Sequence, residues 1–232
     1  MSVDELAPDC PRCNKPLALC ICDSVAPIKN RVALVILQHP QEQDRLLGTA
    51  RLAVQHFTNA QLKVGLSWPS LSKVLGREAD PQRWAILYLG SAQLETSVEG
   101  RDIAVLDKNG APAEGQDEIL GSIEGVIVLD GTWSQAKALW WRNAWMLKCR
   151  RIILDPKAPS RYGNLRREPR RDGLSTIEAA GMLIARLEQR PDIEVALGET
   201  FERMLARFRQ VQKANPELAP RPKKRDWRRK RK

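Results

Sequence analysis

The sequence predicts an α/β domain, with a mainly parallel sheet flanked by helices, behind a small cysteine-rich element at the N-terminus. Short apolar runs rich in Val and Ile alternate with segments of helical periodicity, which is the order typical of parallel sheets. Four of the five cysteines precede the first such run. A hydrophobic content of 43% over 232 residues is enough for a substantial core. Because no apolar run reaches about 18 residues, no membrane-spanning segment is predicted.

The strands and helices follow from hydrophobic periodicity. The strongest strand signals are VALVIL at residues 32–37 and GVIVL at residues 125–129. Continuous apolar runs with β-branched residues are typical of strands buried on both faces. Further strands are predicted at residues 61–66, 85–89, 103–106 and 151–154. Helices are predicted at residues 46–56, 134–145, 175–189 and 194–214.

Three regions are predicted along the chain: a cysteine-rich element at 1–30, the α/β domain at 31–215 and a disordered basic tail at 216–232. The stretch RPKKRDWRRKRK, residues 221–232, has nine Lys or Arg and one Asp, so most of the net charge of +10 lies there. Such a segment cannot bury enough apolar surface to offset its ordering entropy. The positive charge of this segment indicates contact with nucleic acid phosphates. The alternative is that the tail only increases solubility.

The cysteine cluster predicts a structural zinc site. Its residues follow the spacing C-x2-C-x6-C-x-C, and they are Cys10, Cys13, Cys20 and Cys22. Two close pairs joined by a short loop can converge on a tetrahedral ion, and thiolates suit zinc. No secretory signal is recognised, so a cytoplasmic protein is expected, in which disulfides are disfavoured. Four protein ligands would leave no open coordination position on the ion, as in structural zinc sites. The alternative is that the cysteines are reduced or redox-active thiols.

Three turns follow predicted strands, at the edge where open α/β sheets bind ligands. They are HPQEQDRLLGTARLA at 39–53, DGTWSQAK at 130–137 and DPKAPSRYGNLRREPRRDGLSTIEA at 155–179. In the second turn, Asp130 ends its strand, while Thr132 and Gln135 fit a capping box. The helix dipole at this position favours an ionised carboxylate. The alternative is that Asp130 only caps the helix and that Trp133 fills the core.

The third turn is unusually basic for a loop within a domain. Residues 157–171 contain six Lys or Arg and one Glu. Arginine forks such as those of Arg161 and Arg166 suit phosphate or carboxylate groups, and the alternative is a solvated surface. Ser175 and Glu178 predict a second capping box, whose backbone N–H groups suit an anionic or polar ligand group.

Several other polar and aromatic residues receive structural interpretations. Only two histidines occur, so the sequence offers few residues for a hydrolase triad or a histidine metal site. His56 is interpreted as structural, while His39 either lines a site or is a satisfied polar group at a strand end. Trp141 and Trp145 are four residues apart and are predicted to share the packing face of one helix. Cys149 is predicted to be a small buried hydrophobic residue.

Four stretches together resemble the DTW-domain family of tRNA-uridine aminocarboxypropyltransferases, in particular its bacterial type. They are CPRCNKPLALCIC, HPQEQDRLLGTARL, LDGTWSQAKAL with its D-x-T-W core, and PSRYGNLRREPRRDGLSTIEA. This chain departs from the family at Gly48-Thr49, where the family often has Asn-Thr. The resemblance implies a SPOUT-like, knotted fold that binds S-adenosylmethionine. It also implies transfer of the 3-amino-3-carboxypropyl group to N3 of a tRNA uridine, with release of methylthioadenosine.

The resemblance also implies roles for individual residues. Asp130 is the expected base, or the group that orients uridine, with Thr132 in the same turn and Trp133 facing the sulfonium of the cofactor. Four residues are expected to bind the cofactor carboxylate, and two are expected to offer backbone contacts to adenosine. The first four are Arg161, Arg166, Ser175 and Thr176, and the other two are Leu129 and Leu174.

The expected partner is tRNA, engaged by the tail and the arginine-rich turn, and no motif indicates a protein partner. One rival function is an RNA methyltransferase with the same cofactor, which would release S-adenosylhomocysteine instead. The other is a non-catalytic, zinc-containing RNA-binding protein, which would not bind the cofactor. The sequence leaves the tRNA, the uridine position and the oligomeric state open.

Overall fold

A computed structural model describes residues 9–87, 101–163, 165 and 173–215. Six strands form one sheet, and they are β1 (Ala33–Gln38), β2 (Ala60–Val64), β3 (Trp84–Leu87), β4 (Ile103–Leu106), β5 (Gly125–Asp130) and β6 (Arg150–Leu154). Their order is β2-β1-β5-β3-β6-β4, and every neighbouring pair is parallel except β4 with β6. The predicted α/β class with a mainly parallel sheet is therefore confirmed, and the predicted tail lies outside the described residues.

Helices cover both faces of the sheet. They are α1 (Ala50–Gln55), α2 (Leu71–Leu75), α3 (Gln116–Ser122), α4 (Trp133–Arg142), α5 (Thr176–Glu188) and α6 (Pro191–Ala214). Buried residues of α1, α5, α6 and the cysteine segment form one core with the sheet, and those of α2 and α4 form a second core on the opposite face. Within the described ranges, no helix combines the length and the apolar character needed to cross a membrane.

The central strands are buried on both faces, which explains their unbroken apolar runs. In β1, Leu34 and Ile36 pack into the α5 core, and Val35 and Leu37 pack into the α4 core. All six residues of β1 and all six of β5 are buried. The same alternation points the last residue of each strand, Gln38 or Asp130, toward the α5 face.

Two short helices were not predicted from the sequence, because five to seven residues give too little periodicity. α2 begins after Ser70, whose side chain accepts a hydrogen bond from the Lys73 backbone N–H, and ends at Gly76 with φ of +70°. α3 begins with Gln116, whose amide pairs with both backbone groups of Val105 at 2.8 Å. This side chain satisfies polar groups of β4 that a further strand would otherwise pair.

The predicted helix at 134–145 is shorter than expected, which corrects the interpretation of its tryptophans. α4 ends at Arg142, and a 3-10 helix follows at Ala144–Lys148. Trp141 is therefore 79% exposed, and only Trp145 is buried. Asn143 causes the break, because its side chain bonds to the backbone of Leu66, Trp68 and Leu139. The predicted shared packing face was wrong.

Replacing Gly125 by Ala should destabilise the protein by about 1–3 kcal/mol. A Cβ at residue 125 would lie 2.5 Å from the ring of Trp84, its partner across β3 and β5. Trp84 is fully buried, so its ring has no space to move away. Urea unfolding measures the change. Gly121→Ala is the matched control, since nothing lies within 4 Å of its Cβ. Equal unfolding midpoints for the two variants would contradict this account.

Candidate active site

The carboxyl ends of β1 and β5 place Asp130 in a network of hydrogen bonds. Gln38 lies directly beside Asp130 in the parallel pairing of these strands. Its Nε2 donates to Asp130 Oδ2 at 2.9 Å, and the Thr176 hydroxyl donates to Oδ1. Asp130 is only 8% exposed. Since an ionised carboxylate only accepts hydrogen bonds, both contacts fit a charged Asp130.

The start of α5 is fixed between the first and second predicted turns. Ser175 and Glu178 form the predicted capping box. The Ile177 backbone N–H donates to the Thr49 hydroxyl at 3.2 Å, while Thr176 contacts Asp130. The third turn reaches the first through the Tyr162 hydroxyl, which donates to the Leu47 carbonyl at 2.6 Å. All three predicted turns therefore meet at this edge of the sheet.

The second turn has the predicted capping box, with Gln135 Oε1 accepting from the Thr132 N–H at 2.6 Å. Gly131 allows the Gln135 side chain to fold back, because a Cβ there would lie 2.9 Å from Gln135 Cβ. Thr132 is exposed. Trp133 is half-buried beside the Lys137 ammonium, whose Nζ lies 5.8 Å from the ring centroid. Trp133 is therefore not a fully buried core residue.

The residues predicted to bind the cofactor occupy different positions. Ser175 is buried, and Thr176 is half-buried at the start of α5. Leu129 points into the core on the α4 face, and Leu174 is half-buried just before α5. Arg161 donates from Nε to Glu202 at 3.0 Å and lies 3.7 Å from a Glu178 oxygen. Arg166 lies outside the described residues. The proposed cofactor contacts of these residues stay predictions.

Gln38 was missed as a site residue in the sequence. It is 3% exposed, and its Oε1 has no hydrogen-bond partner in the described parts of the chain. A polar residue that ends an otherwise apolar buried strand was the available signal. Because a buried acceptor without a donor is costly, Oε1 is suited to a donor on a ligand.

The four predicted cysteine ligands are brought together. Their Sγ atoms all lie within 4.8 Å of one another, and those of Cys10 and Cys22 are 4.0 Å apart. Tetrahedral zinc–thiolate bonds of about 2.3 Å would separate the sulfurs by roughly 3.8 Å, so the cluster needs little adjustment. All five cysteines are free thiols, and Cys149 is buried as predicted. The residues present therefore fit a zinc ion.

Lys15 connects the cysteine cluster to the first turn of the site. It is 3% exposed, and its Nζ donates to the carbonyls of Leu46 at 2.6 Å, Gly48 at 2.7 Å and Arg45 at 3.4 Å. Burial lowers the pKa of Lys15 to about 8, although negative charge at Cys13, Cys22 and Asp130 opposes this shift. Lys15 therefore links the cysteine segment by hydrogen bonds to residues 45–48 of the first turn, just before Thr49. No pattern in the sequence distinguished this lysine.

The His39 backbone N–H donates to the Asp130 carbonyl at 2.9 Å, but the side chains of the two histidines make other contacts or none among the described residues. His39 accepts a hydrogen bond at Nδ1 from the Gln41 backbone N–H, so it caps the 3-10 helix after β1. His56 is 3% exposed, and neither of its ring nitrogens has a partner among the described residues. Burial, helped by the charge of Arg203, lowers the pKa of His56 to about 4, so the ring is neutral near pH 7.

Comparisons with known proteins agree with the resemblance. The family model described as the DTW domain matches residues 7–209. Curated relatives named tRNA-uridine aminocarboxypropyltransferase 2 occur in Macaca fascicularis, with 27% identity over 82% of this chain, and in Mus musculus, with 28% identity over 83%. A Drosophila melanogaster protein of the same name is 28% identical over 81% of the chain and is covered over 70% of its own length. This chain spans only 60% and 61% of the first two relatives. No solved structure matches it.

Proposed function

Because the chain belongs to the DTW domain family, we propose that it is a tRNA-uridine aminocarboxypropyltransferase. The reaction transfers the 3-amino-3-carboxypropyl group of S-adenosylmethionine to N3 of a tRNA uridine. The relatives with this name support the reaction class. The observation that carries the proposal is the Asp130 carboxylate, held at the carboxyl edge of β1 and β5 by Gln38 and Thr176.

Asp130 is proposed to receive the uridine N3 proton, or to orient the base while the proton leaves. As N3 forms its bond to the transferred carbon, the bond between that carbon and sulfur would break. Its electron pair would go to the sulfur, so that the leaving group is the neutral thioether methylthioadenosine. Gln38 and Thr176 already donate hydrogen bonds to the Asp130 oxygens and hold them in place. The group that would accept the proton therefore has a fixed position. A general base of this kind typically contributes about 10²–10⁴-fold.

Gln38 is proposed to help orient the reacting groups. Its Nε2 is bonded to Asp130, so the amide cannot turn freely, and Oε1 remains as an acceptor. A donor on the bound base or on the transferred amino acid group would satisfy this oxygen. Thr132 is proposed to hold the turn, and Trp133 to face the sulfonium with its partly exposed ring.

The cofactor carboxylate is proposed to lie near the start of α5, where Ser175 and Thr176 are located. Arg161 and Arg166 are the proposed cationic partners, and Arg161 would use guanidinium donors beyond those bonded to Glu202. Leu129 and Leu174 are proposed to offer backbone groups to adenosine. When bound, S-adenosylmethionine supplies an electrophilic carbon beside a cationic sulfur leaving group.

Zinc is proposed as a structural ion held by the four cysteines, and tRNA as the macromolecular substrate of a cytoplasmic enzyme. The domain is proposed to be SPOUT-like and knotted. Two features support this. The strand β5 lies between β1 and β3 in the sheet. The helix α5, which follows β6 in the chain, begins beside Asp130. An experimental structure that traces residues 155–175 would test the knot by showing whether this segment passes through a loop.

Incubation of the purified chain with tRNA and S-adenosylmethionine labelled in the aminocarboxypropyl group tests the reaction. Digested tRNA should contain a uridine with the labelled group, and methylthioadenosine should accumulate. Release of S-adenosylhomocysteine with a methylated nucleoside would instead identify a methyltransferase. The absence of both products, together with no calorimetric binding of S-adenosylmethionine, would identify a non-catalytic protein.

Replacing Lys15 by Met should lower kcat by about 10–100-fold while the zinc content stays at one per chain. The variant removes the donor shared by the Arg45, Leu46 and Gly48 carbonyls, so the turn before Thr49 loses its fixed position. Hydrogen exchange should accelerate at residues 45–49. Lys73→Met, at an exposed position of α2, is the control. Unchanged exchange in this turn would contradict a positioning role.

A further inference from the structure

The charges of α6 are divided between its two halves. The first half has four acidic residues, and they are Asp192, Glu194, Glu199 and Glu202. From residue 203 to the end of α6 there are four cations and no acid, and the cations are Arg203, Arg207, Arg209 and Lys213. The helix dipole favours cations only in the last turn. Arg203 and Arg207 lie more than one turn before the end at Ala214, so the dipole does not account for them.

The basic half of α6 forms one wall of an open groove, and the cysteine segment forms the other. The groove has a volume of about 380 Å³. Its lining residues are Cys20, Ile21, Asp23, Ser24, Arg203, Ala206, Arg207 and Gln210. Asp23 is the only acid in this lining, and its carboxylate lies 3.3 Å from an Arg12 nitrogen.

Arginines hold the cysteine wall of the groove and still face solvent. Arg207 Nε donates to the Ala18 carbonyl at 2.6 Å, and Arg12 donates to the Cys22 carbonyl at 2.9 Å. Arg203 contacts the Ser24 carbonyl at 3.4 Å and Glu199 at 3.2 Å, with 52% of its side chain exposed. Each guanidinium has five N–H donors, so these contacts leave donors for a ligand.

We propose that this groove binds the phosphate backbone of the tRNA substrate, an inference that rests on the proposed function. The cations at the groove are Arg12, Arg203 and Arg207, and the carboxylates beside them are Asp23 and Glu199. The chain continues from the basic end of α6 toward the nine cations of residues 221–232. The arginines of the groove suit an extended polyanion.

Adding acidic residues to the groove tests the proposal without removing the arginines that hold its wall. Ala206→Glu combined with Gln210→Glu should weaken tRNA binding about tenfold at low salt. The slope of log Kd against log salt should flatten by roughly one to two, since fewer counterions are released. The control adds the same charge at exposed positions outside the groove, Val195→Glu combined with Leu147→Glu, and should remain within about twofold of the original chain.

Binding is measured with tRNA alone, so the result does not depend on transfer. Zinc content and thermal unfolding should match between the groove variant and its control. Equal Kd values and salt slopes for these two proteins would overturn the groove as an RNA site, as would a failure of the original chain to bind tRNA. Displacement of tRNA by polyglutamate at equal charge concentration would indicate an acidic protein partner instead, and would also overturn it. Absence of the modified nucleoside with intact tRNA binding would refute the transfer reaction only.

Discussion

Replacing Asp130 by Asn is expected to lower kcat by about 10²–10⁴-fold while the protein stays folded. Asn has the shape of Asp, so the contacts with Gln38 and Thr176 can persist. Gln38 can still donate to the amide oxygen, and the Thr176 hydroxyl can rotate to accept from the amide nitrogen. The variant therefore removes basicity and charge with little change in packing. Single-turnover rates with excess enzyme measure the chemical step.

Asp117→Asn is the matched control for the Asp130 variant. Asp117 is an exposed residue of α3 and pairs with Arg101. Its helix packs against the edge strand β4, away from Asp130. This control should change kcat by less than about twofold. Near-normal turnover of the Asp130 variant would refute any catalytic role for this carboxylate.

Replacing Cys10 and Cys13 together by Ser is expected to remove about one zinc ion per chain. The variant keeps only two of the four thiolates that lie within 4.8 Å of one another. Structural zinc binding to such sites is worth roughly 10–16 kcal/mol in small zinc-finger peptides, so its loss should unfold the cysteine segment. Lys15 lies in that segment, and its contacts with Leu46 and Gly48 should be lost as well. Transfer activity should fall with the metal content.

Elemental analysis of the purified protein measures the zinc content, and hydrogen exchange at residues 10–25 and 45–49 reports the structural effect. Cys149→Ala is the control, since Cys149 is buried against the α4 face and is not part of the cluster. It should retain zinc. A wild-type protein that contains no metal, and whose melting temperature does not respond to a chelator, would show that the cysteines act only as thiols.

The sequence was sufficient for features encoded by neighbouring residues. All six predicted strands are present, and both predicted capping boxes form, because periodicity and cap spacing are local properties. The position of Asp130 at a strand end and the convergence of four cysteines were predictable for the same reason. Asn143 shows the limit of local reasoning. Its contacts with Leu66 and Trp68 end α4 early, and those partners lie more than 70 residues away in the chain.

The sequence by itself determined the strands, the caps and the convergence of the four cysteines, since each depends on residues close together along the chain. Only the tertiary structure decided what surrounds Asp130. Gln38 and Thr176 reach it because the parallel pairing of β1 with β5 aligns two strand ends, while packing of α5 against the sheet brings its first residue to the same point. Lys15 is likewise a surface-type residue by composition, and it is buried because three carbonyls of a distant turn satisfy its ammonium.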